Sequence, residues 1–533
     1  MGAEKQMIIV REALESDVPQ IREVFLAVYG KDYSHPQYYD PKLLKKMVFA
    51  DDTLLLVAKD TDKKKIVGTG SVLLEMGAHA DLVGEFGRLA VHPDARGMGI
   101  GKLLMEGRLE RIRDRLQLAI VDCRVTHTVA QKIAASHGFA TVGFLPMKLL
   151  LAKRESLLLM VQYFGEAFKL RRNNPRVIPE VYHLAALAMQ NCGLECDAVV
   201  DDETSAYPYD NDFELDELTT KGYTTLLHFQ RGRVRNREIF GPIRLHYGLF
   251  KLRAQLSNYL LAYTHGQIAG AIGFTIDEIE KSARIFELIA LTHRPIRFLL
   301  TEFERHCQEQ WNIEYLEVDI SAHAPQMQRT LLELGYFPAA YIPAMVFHRV
   351  ERLDGIRMVR LLVAADTSGI ELIPEAHPVA DMILQHFVER QVNPQLAEAI
   401  PKITLFSGLN SGQIKLLASR CTLQSYNPQE QLFAQGELGE EAYLLLNGEI
   451  EICCGDPPTC VGGISVGECL GEMSLLTQTP HSATATTQTQ VDVAVLKHND
   501  INELARLRPD IGVIIYHNLA QGLGEKLKRS SEH

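Results

Sequence analysis

The stretch Arg96-Gly97-Met98-Gly99-Ile100-Gly101 constrains this chain most, because its flanks dictate what must stand on either side of it. Before it, Glu85 to Val91 reads as a short strand, which His92-Pro93-Asp94-Ala95 breaks into a turn. After it, Met105, Leu109, Ile112 and Leu116 recur at helical spacing among Arg and Glu. The glycines therefore sit between a strand end and a helix start. The first N–H groups of a helix have no partner, and the helix dipole makes that spot attractive to phosphate. Glycine lets the backbone approach a ligand that a Cβ would hold away. The Gly-Lys-Ser/Thr ending of a nucleotide-triphosphate loop is missing, and the glycine spacing is not that of the dinucleotide fingerprint.

The longer run Leu89-Ala-Val-His-Pro-Asp-Ala-Arg-Gly-Met-Gly-Ile-Gly101 closely resembles the acetyl-CoA pyrophosphate motif of the GNAT superfamily of N-acetyltransferases. The resemblance implies acetyl-CoA as cosubstrate, with Arg96, Gly97, Met98, Gly99, Ile100, Gly101 and Lys102 at its diphosphate. Main-chain amides around Leu89, Ala90 and Val91 would polarise the thioester carbonyl. Glu85 lies where many members of the family place a general base, and alternation puts it on the face of Leu89 and Val91. Deprotonating an ordinary lysine at pH 7 costs about 4.6 kcal/mol, and a carboxylate can take that proton. The segment His127 to Phe139, ended by Gly138, is similar to the second conserved helix of the family, with two departures. His127 replaces the usual Asn, and Ala134 stands where a tyrosine often serves as general acid. That leaves His127 either as a contact to the coenzyme and proton donor to the thiolate or as a structural histidine. Tyr29, Tyr33, Tyr38 and Tyr39 follow the first helix, where the fold lines its acceptor side; they read as wall residues or as loop packing.

The rest of the first part follows simple rules. Ile8-Ile9-Val10 reads as a strand, and Ser16-Asp17-Val18-Pro19 starts a helix buried through Ile21, Val24, Phe25 and Val28. Thr53 to Ala58 and Ile66 to Leu74 form a hairpin around Asp60 to Lys65, and Leu118 to Cys123 is a buried strand. With 533 residues, about three domains are expected. We divide the chain into a GNAT domain at 1–155, a degenerate GNAT-like domain at 156–350, a connector at 351–399 and a nucleotide-sensing domain at 400–533. The fold class is α+β or α/β, with two tandem GNAT-like mixed sheets ahead of a jelly-roll β-barrel and its flanking helices.

The second domain rests on an internal repeat. Leu260 to Gly270 echoes Leu56 to Gly68, and His323 to Tyr336 with Pro343 echoes His127 to Phe139 with Pro146. Glu287 to Phe298 stands where the glycine loop should be, so this copy is expected not to bind coenzyme A, and to be structural or to shape the acceptor cleft of the first. Residues 196–217 hold nine Asp and Glu and no Lys or Arg, which reads as an exposed excursion rather than core, and a surface that a lysine-rich partner could use.

Beyond residue 400, apolar and polar residues alternate between glycine turns, as in a small antiparallel barrel. Gly467-Glu468-Cys-Leu-Gly471-Glu472-Met473, then Pro480-His481-Ser482-Ala483-Thr484, closely resembles the cassette of the cyclic-nucleotide-binding domain of catabolite-activator-type proteins. The resemblance implies that Gly471, Glu472, Met473, His481, Ser482 and Ala483 face cyclic AMP or cyclic GMP, with Glu472 on the ribose hydroxyl. The family's phosphate-binding Arg is His481 here. Losing one partner of a desolvated charge pair costs roughly 2 to 5 kcal/mol. If His481 meets the phosphate, binding should strengthen as pH falls through about 6.5. Helices are expected from Ile501 to Lys528 with no helix-turn-helix after them, against a transcription factor.

A net charge of -12 works against broad nucleic-acid binding and against anionic membrane surfaces, and no apolar run is long enough to span a bilayer. The N-terminus has no signal-peptide pattern, and nine scattered cysteines fit reduced thiols in the cytoplasm. Cys192-x-x-x-Cys196 and Cys453-Cys454 lack companions at zinc-site spacing, so they read as buried structural thiols, and no metal is expected. Together these features describe a cytoplasmic acetyltransferase acting on an amine, either a protein lysine or a small molecule, under a nucleotide-sensing domain. Such a fusion resembles bacterial protein-lysine acetyltransferases with the order of domains reversed. The alternative is a sensor that binds acyl-CoA and cyclic nucleotide without transferring an acetyl group.

Overall fold

The computed structural model describes residues 8–218, 238–240, 255–389, 400 and 403–531, apart from 32, 75–80, 364, 365, 367, 419, 456, 458 and 478. Its contacts divide into two compact units, the first reaching His386 and the second formed mainly by the residues from Phe387 onward.

In the first unit, β1 (Ile8–Glu12), α1 (Val18–Tyr29), α2 (Pro41–Val48), β2 (Thr53–Asp60), β3 (Lys65–Leu74), β4 (Val83–Val91), α3 (Ile100–Ile112), β5 (Leu118–Arg124), α4 (Val129–Ser136), β6 (Ala140–Leu150) and β7 (Arg154–Tyr163) make a mixed half-sheet. Then come β8 (Arg176–Val177), α5 (Pro179–Asn191), β9 (Val199–Val200), β10 (Glu214–Glu217) and β11 (Ile239–Phe240). They lead to β12 (Gln255–Thr264), β13 (Gln267–Asp277), β14 (Ser282–Ala290), α6 (Arg294–Glu309), β15 (Tyr315–Ser321), α7 (Pro325–Glu333), β16 (Phe337–His348) and β17 (Glu351–Leu361). The strands hydrogen-bond in the order β1-β2-β3-β4-β5-β7-β6-β16-β17-β15-β14-β13-β12-β10, with β11 on β15. Read outward from β6 and β16, both arms carry the same connectivity.

The irregularities repeat as well. A register shift at Ala58/Lys59 between β2 and β3 matches one at Ala262/Tyr263 between β12 and β13. Shifts between Leu145 and Leu149 and between Ile342 and Val346 enclose Pro146 and Pro343 with the left-handed residues Met147 and Ala344. β4 pairs in parallel with β5 only from Val83 to Phe86, and β14 with β15 only from Ser282 to Ile285. Each parallel pair opens beyond a bulge, since Thr69/Ser71 and Gly273/Phe274 also shift register. In the first half Arg88, at φ 54°, forms that bulge. Buried Arg108 of α3 donates to the carbonyls of Ser71 at 3.2 Å and Gly87 at 3.3 Å, satisfying backbone groups there.

Two domain boundaries move. The division at 155 cuts β7, a strand paired on both sides, and the connector's start at 351 is the first residue of β17, buried through Leu353, Ile356 and Met358. Past β17, residues 371–373 fold back on the first half: buried Gln131 of α4 donates to Glu371 O at 2.8 Å and accepts from Ile373 N at 3.0 Å. The acidic stretch is only partly exposed. Asp201 is buried against Arg176 at 2.6 Å, Tyr207 is 2% exposed with its hydroxyl on Glu238, and Glu214 to Glu217 pairs with β12. Its charge is tied up with Arg171, Arg176 and Arg294, so it is not a free acidic surface throughout.

The helix α8 (His377–Glu389) runs across the division between the units, and in the second unit α9 (Ser411–Ala418) precedes β18 (Thr422–Tyr426), β19 (Gln431–Phe433), β20 (Glu441–Asn447), β21 (Ile450–Cys454), β22 (Thr459–Ile464), β23 (Cys469–Leu470), α10 (Glu472–Thr477), β24 (Thr484–Thr487), β25 (Val491–Lys497), α11 (His498–Leu507) and α12 (Pro509–Ser531). The strands form two four-stranded sheets, β18-β25-β20-β23 and β19-β24-β21-β22, rather than a closed barrel, since no ladder joins them among the described residues. Alternation explains the packing: Val491, Val493 and Val495 enter the core between the sheets, while Ala494 and Leu496 face the helices.

The two halves of the large sheet meet where Ala340 of β16 pairs with Gly143 of β6, and a Cβ on Gly143 would lie 2.2 Å from that of Ala340. Gly143→Val is therefore expected to lower the thermal midpoint by an amount equivalent to about 1 to 3 kcal/mol or more, measured by thermal unfolding. An unchanged midpoint would mean that the halves do not meet at this pair.

Candidate active site and nucleotide site

Where β4 and β5 part, a cavity of about 1260 Å³ opens between the halves. The glycine loop forms one end. The turn Pro93–Ala95 leads to Gly97 at φ 81° and Gly99 at φ 76°, both with open space where a Cβ would be. α3 then begins at Ile100, and the first amide bonded back into it is that of Lys102, on Gly99 O at 3.0 Å. The amides ahead of it precede the helix's first bonded turn, at its positive end. Exposed Arg96, Lys102 and Lys132 line the same end. Bare amides, left-handed glycines and three cations together fit a diphosphate. In the second half the corresponding connection, from Ala290 to Arg294, is only three residues long and carries no glycine.

Most sequence-predicted site residues meet here. Leu89, Ala90, Val91, Arg96, Gly97, Gly99, Ile100, Gly101 and Lys102 line the cavity, as do Glu85, exposed His127, and Tyr29, Tyr33 and Tyr38. Two do not. Met98 turns outward, 38% exposed, because the left-handed glycines on either side reverse the chain. Tyr39 lies behind the wall, its hydroxyl accepting from Tyr33 N at 3.3 Å. Tyr29 and Tyr33 stack at 4.4 Å between ring centres, and burial raises the pKa of both above the usual tyrosine range. The two-residue count that placed Glu85 with Leu89 and Val91 does not carry across the bulge at Arg88. Instead Arg88 reaches back to Glu85 at 2.6 Å. Burial opposes the charge on Arg88, but Glu85 and the hydroxyls of Tyr38 and Tyr33 outweigh it and raise its pKa.

The second half, expected either to be structural or to shape the acceptor cleft, does supply the far wall, through residues the sequence did not single out: Tyr259, Asp277, Glu280, Arg284, Glu287 and Tyr315. Lys148 bridges the halves to Glu317 at 3.0 Å and Asp122 at 3.3 Å; burial lowers its pKa, and the two carboxylates more than offset this. Only the repeat itself could have signalled this wall.

In the second unit, Gly471 at φ 76° turns the chain from β23 into α10, and a Cβ there would meet Glu441 O at 2.5 Å. Glu472 starts α10 and is 7% exposed, while Met473 is 43% exposed. His481 is brought to the same place, with its Nδ1 3.4 Å from Ser474 Oγ, and is followed by exposed Ser482 and half-buried Ala483. The buried His481 ring stacks on Phe433 at 3.8 Å, a partner the sequence did not reveal. The cysteine reading also changes. Cys192, Cys453 and Cys454 are half-buried and Cys196 is exposed, and the β21–β22 register sets Cys460 opposite Cys453, 2.7 Å between sulfurs. Donor atoms of Glu451, Cys453 and Cys460 lie within 4.8 Å of one another. None of the nine cysteines is in a disulfide.

Residues 18–139 match the acetyltransferase (GNAT) family, and residues 423–507 match the cyclic nucleotide-binding domain. The chain carries a GNAT acetyltransferase domain and a cyclic nucleotide-binding domain. Its relatives include the cyclic AMP receptor protein of Thermus thermophilus, 30% identical over 24% of this chain and 58% of that protein. Another is the cAMP-dependent protein kinase regulatory subunit of Yarrowia lipolytica, 30% identical over 20% of this chain and 28% of its own length. The chain thus spans less than two thirds of either relative. Among solved structures, a cyclic nucleotide-binding domain from Methylobacillus flagellatus is 25% identical, covering 26% of this chain and 79% of that one with a TM-score of 0.24. Among the described residues no helix is long and apolar enough to cross a membrane.

Burial lowers the pKa of His481 below the usual 6.5, against the opposing pull of Glu437 and Glu472. Any strengthening of nucleotide binding on protonation is thus shifted below pH 6.5. The folded form binds fewer protons than the unfolded one, so the ring's contribution to stability is present above pH 6.5 and lost as pH falls through the depressed value. The His481→Phe variant, which keeps a ring on Phe433, is expected to show a shallower loss of unfolding free energy between pH 6.5 and 5. An identical slope would place the His481 pKa at its ordinary value.

Proposed function

We propose that this protein is an acetyl-CoA-dependent N-acetyltransferase for a primary amine, carried either by a protein lysine or by a small molecule, and controlled by its C-terminal nucleotide-sensing domain. The observation that carries this reading is the glycine cradle opening directly into the cavity. Arg96, Gly97, Gly99, Ile100, Gly101 and Lys102 would hold the diphosphate of acetyl-CoA, and the amides near Leu89 to Val91 would polarise its thioester carbonyl. Tyr29, Tyr33 and Tyr38 guide the acceptor, and His127 stands near the coenzyme side of the cavity. The second half is a degenerate GNAT-like fold whose three-residue turn leaves no diphosphate cradle, supported by its matching strand order and bulges. A cytoplasmic setting is part of this reading and rests on the odd number of scattered cysteines in the sequence.

For the sensor, we infer that cyclic AMP or cyclic GMP sits against Gly471, Glu472, Ser482 and Ala483, with His481 in the phosphate-facing position. The connector hydrogen-bonded to Gln131 gives regulation a physical route, since α4 lines the cavity through Val129, Ala130, Lys132 and Ile133.

Three measurements test these readings. Calorimetry should show acetyl-CoA binding that Gly99→Val weakens at least tenfold, because φ 76° is strained for any side chain. Thiol release should appear with at least one member of an amine and lysine-peptide panel; binding with no release would leave a sensor rather than an enzyme. The His481→Arg variant, restoring a charged fork, is expected to tighten cyclic nucleotide binding by about 1.5 to 3.5 decades. No change would remove His481 from the phosphate site.

A further inference from the structure

Glu280 belongs to the second half of the large sheet, in the turn after β13, yet it lines the cavity that the glycine loop opens into. Its Oε1 accepts from Ser34 Oγ of the first half at 2.9 Å, one residue from the cavity-lining Tyr33. Its main-chain carbonyl accepts from Arg154 Nη2 at 2.8 Å, and Arg154 also binds Glu314 at 2.7 Å, which pins the turn to the first half. Glu280 is thus tied to the first half through both its side chain and its main chain. Glu85 is placed differently, with Arg88 at 2.6 Å on its Oε1.

The charged groups around Glu280 come from several elements. Burial and then Asp277 of β13 raise its pKa to about 7, against the Ser34 hydrogen bond, Lys148 of β6 and Arg88 of β4. A carboxyl group poised near neutrality both takes up and releases a proton at working pH. Tyr315, also on the cavity, is buried, and its hydroxyl has no hydrogen-bond partner among the described residues. It is available to a polar group entering the cavity.

Resting on the acetyltransferase reading above, we propose that Glu280, donated by the degenerate half, is the proton acceptor for the incoming amine, so that the active site is shared by the two halves. The ammonium proton passes to the Glu280 carboxylate, and the freed nitrogen lone pair forms the C–N bond to the acetyl carbonyl carbon. The C–S bond then breaks with its electron pair on sulfur, which takes the remaining surplus proton from nitrogen. Amide and free thiol result, and Glu280 returns its proton to water.

The test measures thiol release from acetyl-CoA by the full chain with spermidine, ethanolamine and a lysine peptide, alongside calorimetry of acetyl-CoA. The wild-type rate at low amine should rise with pH through about 7, following Glu280. The Glu280→Gln variant is expected to lose about 100-fold or more in kcat/KM, to lose that limb of the pH profile, and to keep acetyl-CoA affinity within twofold. Should Glu280→Gln lose acetyl-CoA affinity through misfolding, Ser34→Ala decides. Removing a hydrogen bond that favours the carboxylate should move the limb to higher pH, and an unmoved limb overturns the proposal. An active wild type with Glu280→Gln unchanged in rate and pH profile overturns the shared site alone. A wild type that binds acetyl-CoA but releases no thiol with any probe overturns the enzyme reading and this proposal with it.

Discussion

The structure of the first unit depends on one backbone event, the extra residue at Arg88 that forces β4 away from β5. A parallel pair that stayed closed would bury both strands against each other and leave no room at their ends. The bulge ends the pairing after Phe86, and Arg108 satisfies carbonyls beside it from below at the cost of desolvating its own charge, which pushes its pKa down to about 10. The strand then delivers Leu89 to Val91, the turn and the glycine loop to the mouth of the opening in one continuous run. The diphosphate cradle and the opening are therefore consequences of the same local geometry.

The second half repeats the opening without the cradle. β14 and β15 part after four pairs, as β4 and β5 do, but Ala290 is joined to Arg294 across three residues. What survives is a wall. Charge crosses the seam between the halves at Lys148 on Glu317, 3.0 Å, and Arg154 on Glu314, 2.7 Å, while Arg357 and Arg284 share Asp319 within the second half. Buried pairs of this kind roughly break even against apolar packing, while removal of one partner is expensive. The two crossing pairs, with Ala340 paired to Gly143, favour one register of the halves. That is what a cavity lined from both sides requires.

Much of this was legible in the chain. The glycine loop, the hairpin around Asp60 to Lys65, the His127 helix and its echo at His323 all fall where local patterning puts them, because turns and helix ends are set by neighbouring residues. The failures have a common cause in long-range register. Counting by twos placed Glu85 with Leu89, and a bulge that depends on the neighbouring strand cancels that count. Cys453 acquires Cys460 only through hairpin pairing, and His481 acquires Phe433 only through sheet packing. The acidic stretch looked solvated because its arginine partners, such as Arg176 and Arg294, lie 25 and 84 residues away. Glu280 was invisible for the same reason, its contact Ser34 being 246 residues distant.

Hydrogen–deuterium exchange with and without acetyl-CoA, read by mass spectrometry on the full chain, tests the account most directly. Protection is expected in peptides spanning Leu89 to Lys102 and in those spanning Asp277 to Glu287 on the opposite wall, with no change at Leu291 to Pro295. Unchanged exchange across Arg96 to Gly101, or protection of the second half's short turn in its place, would contradict it.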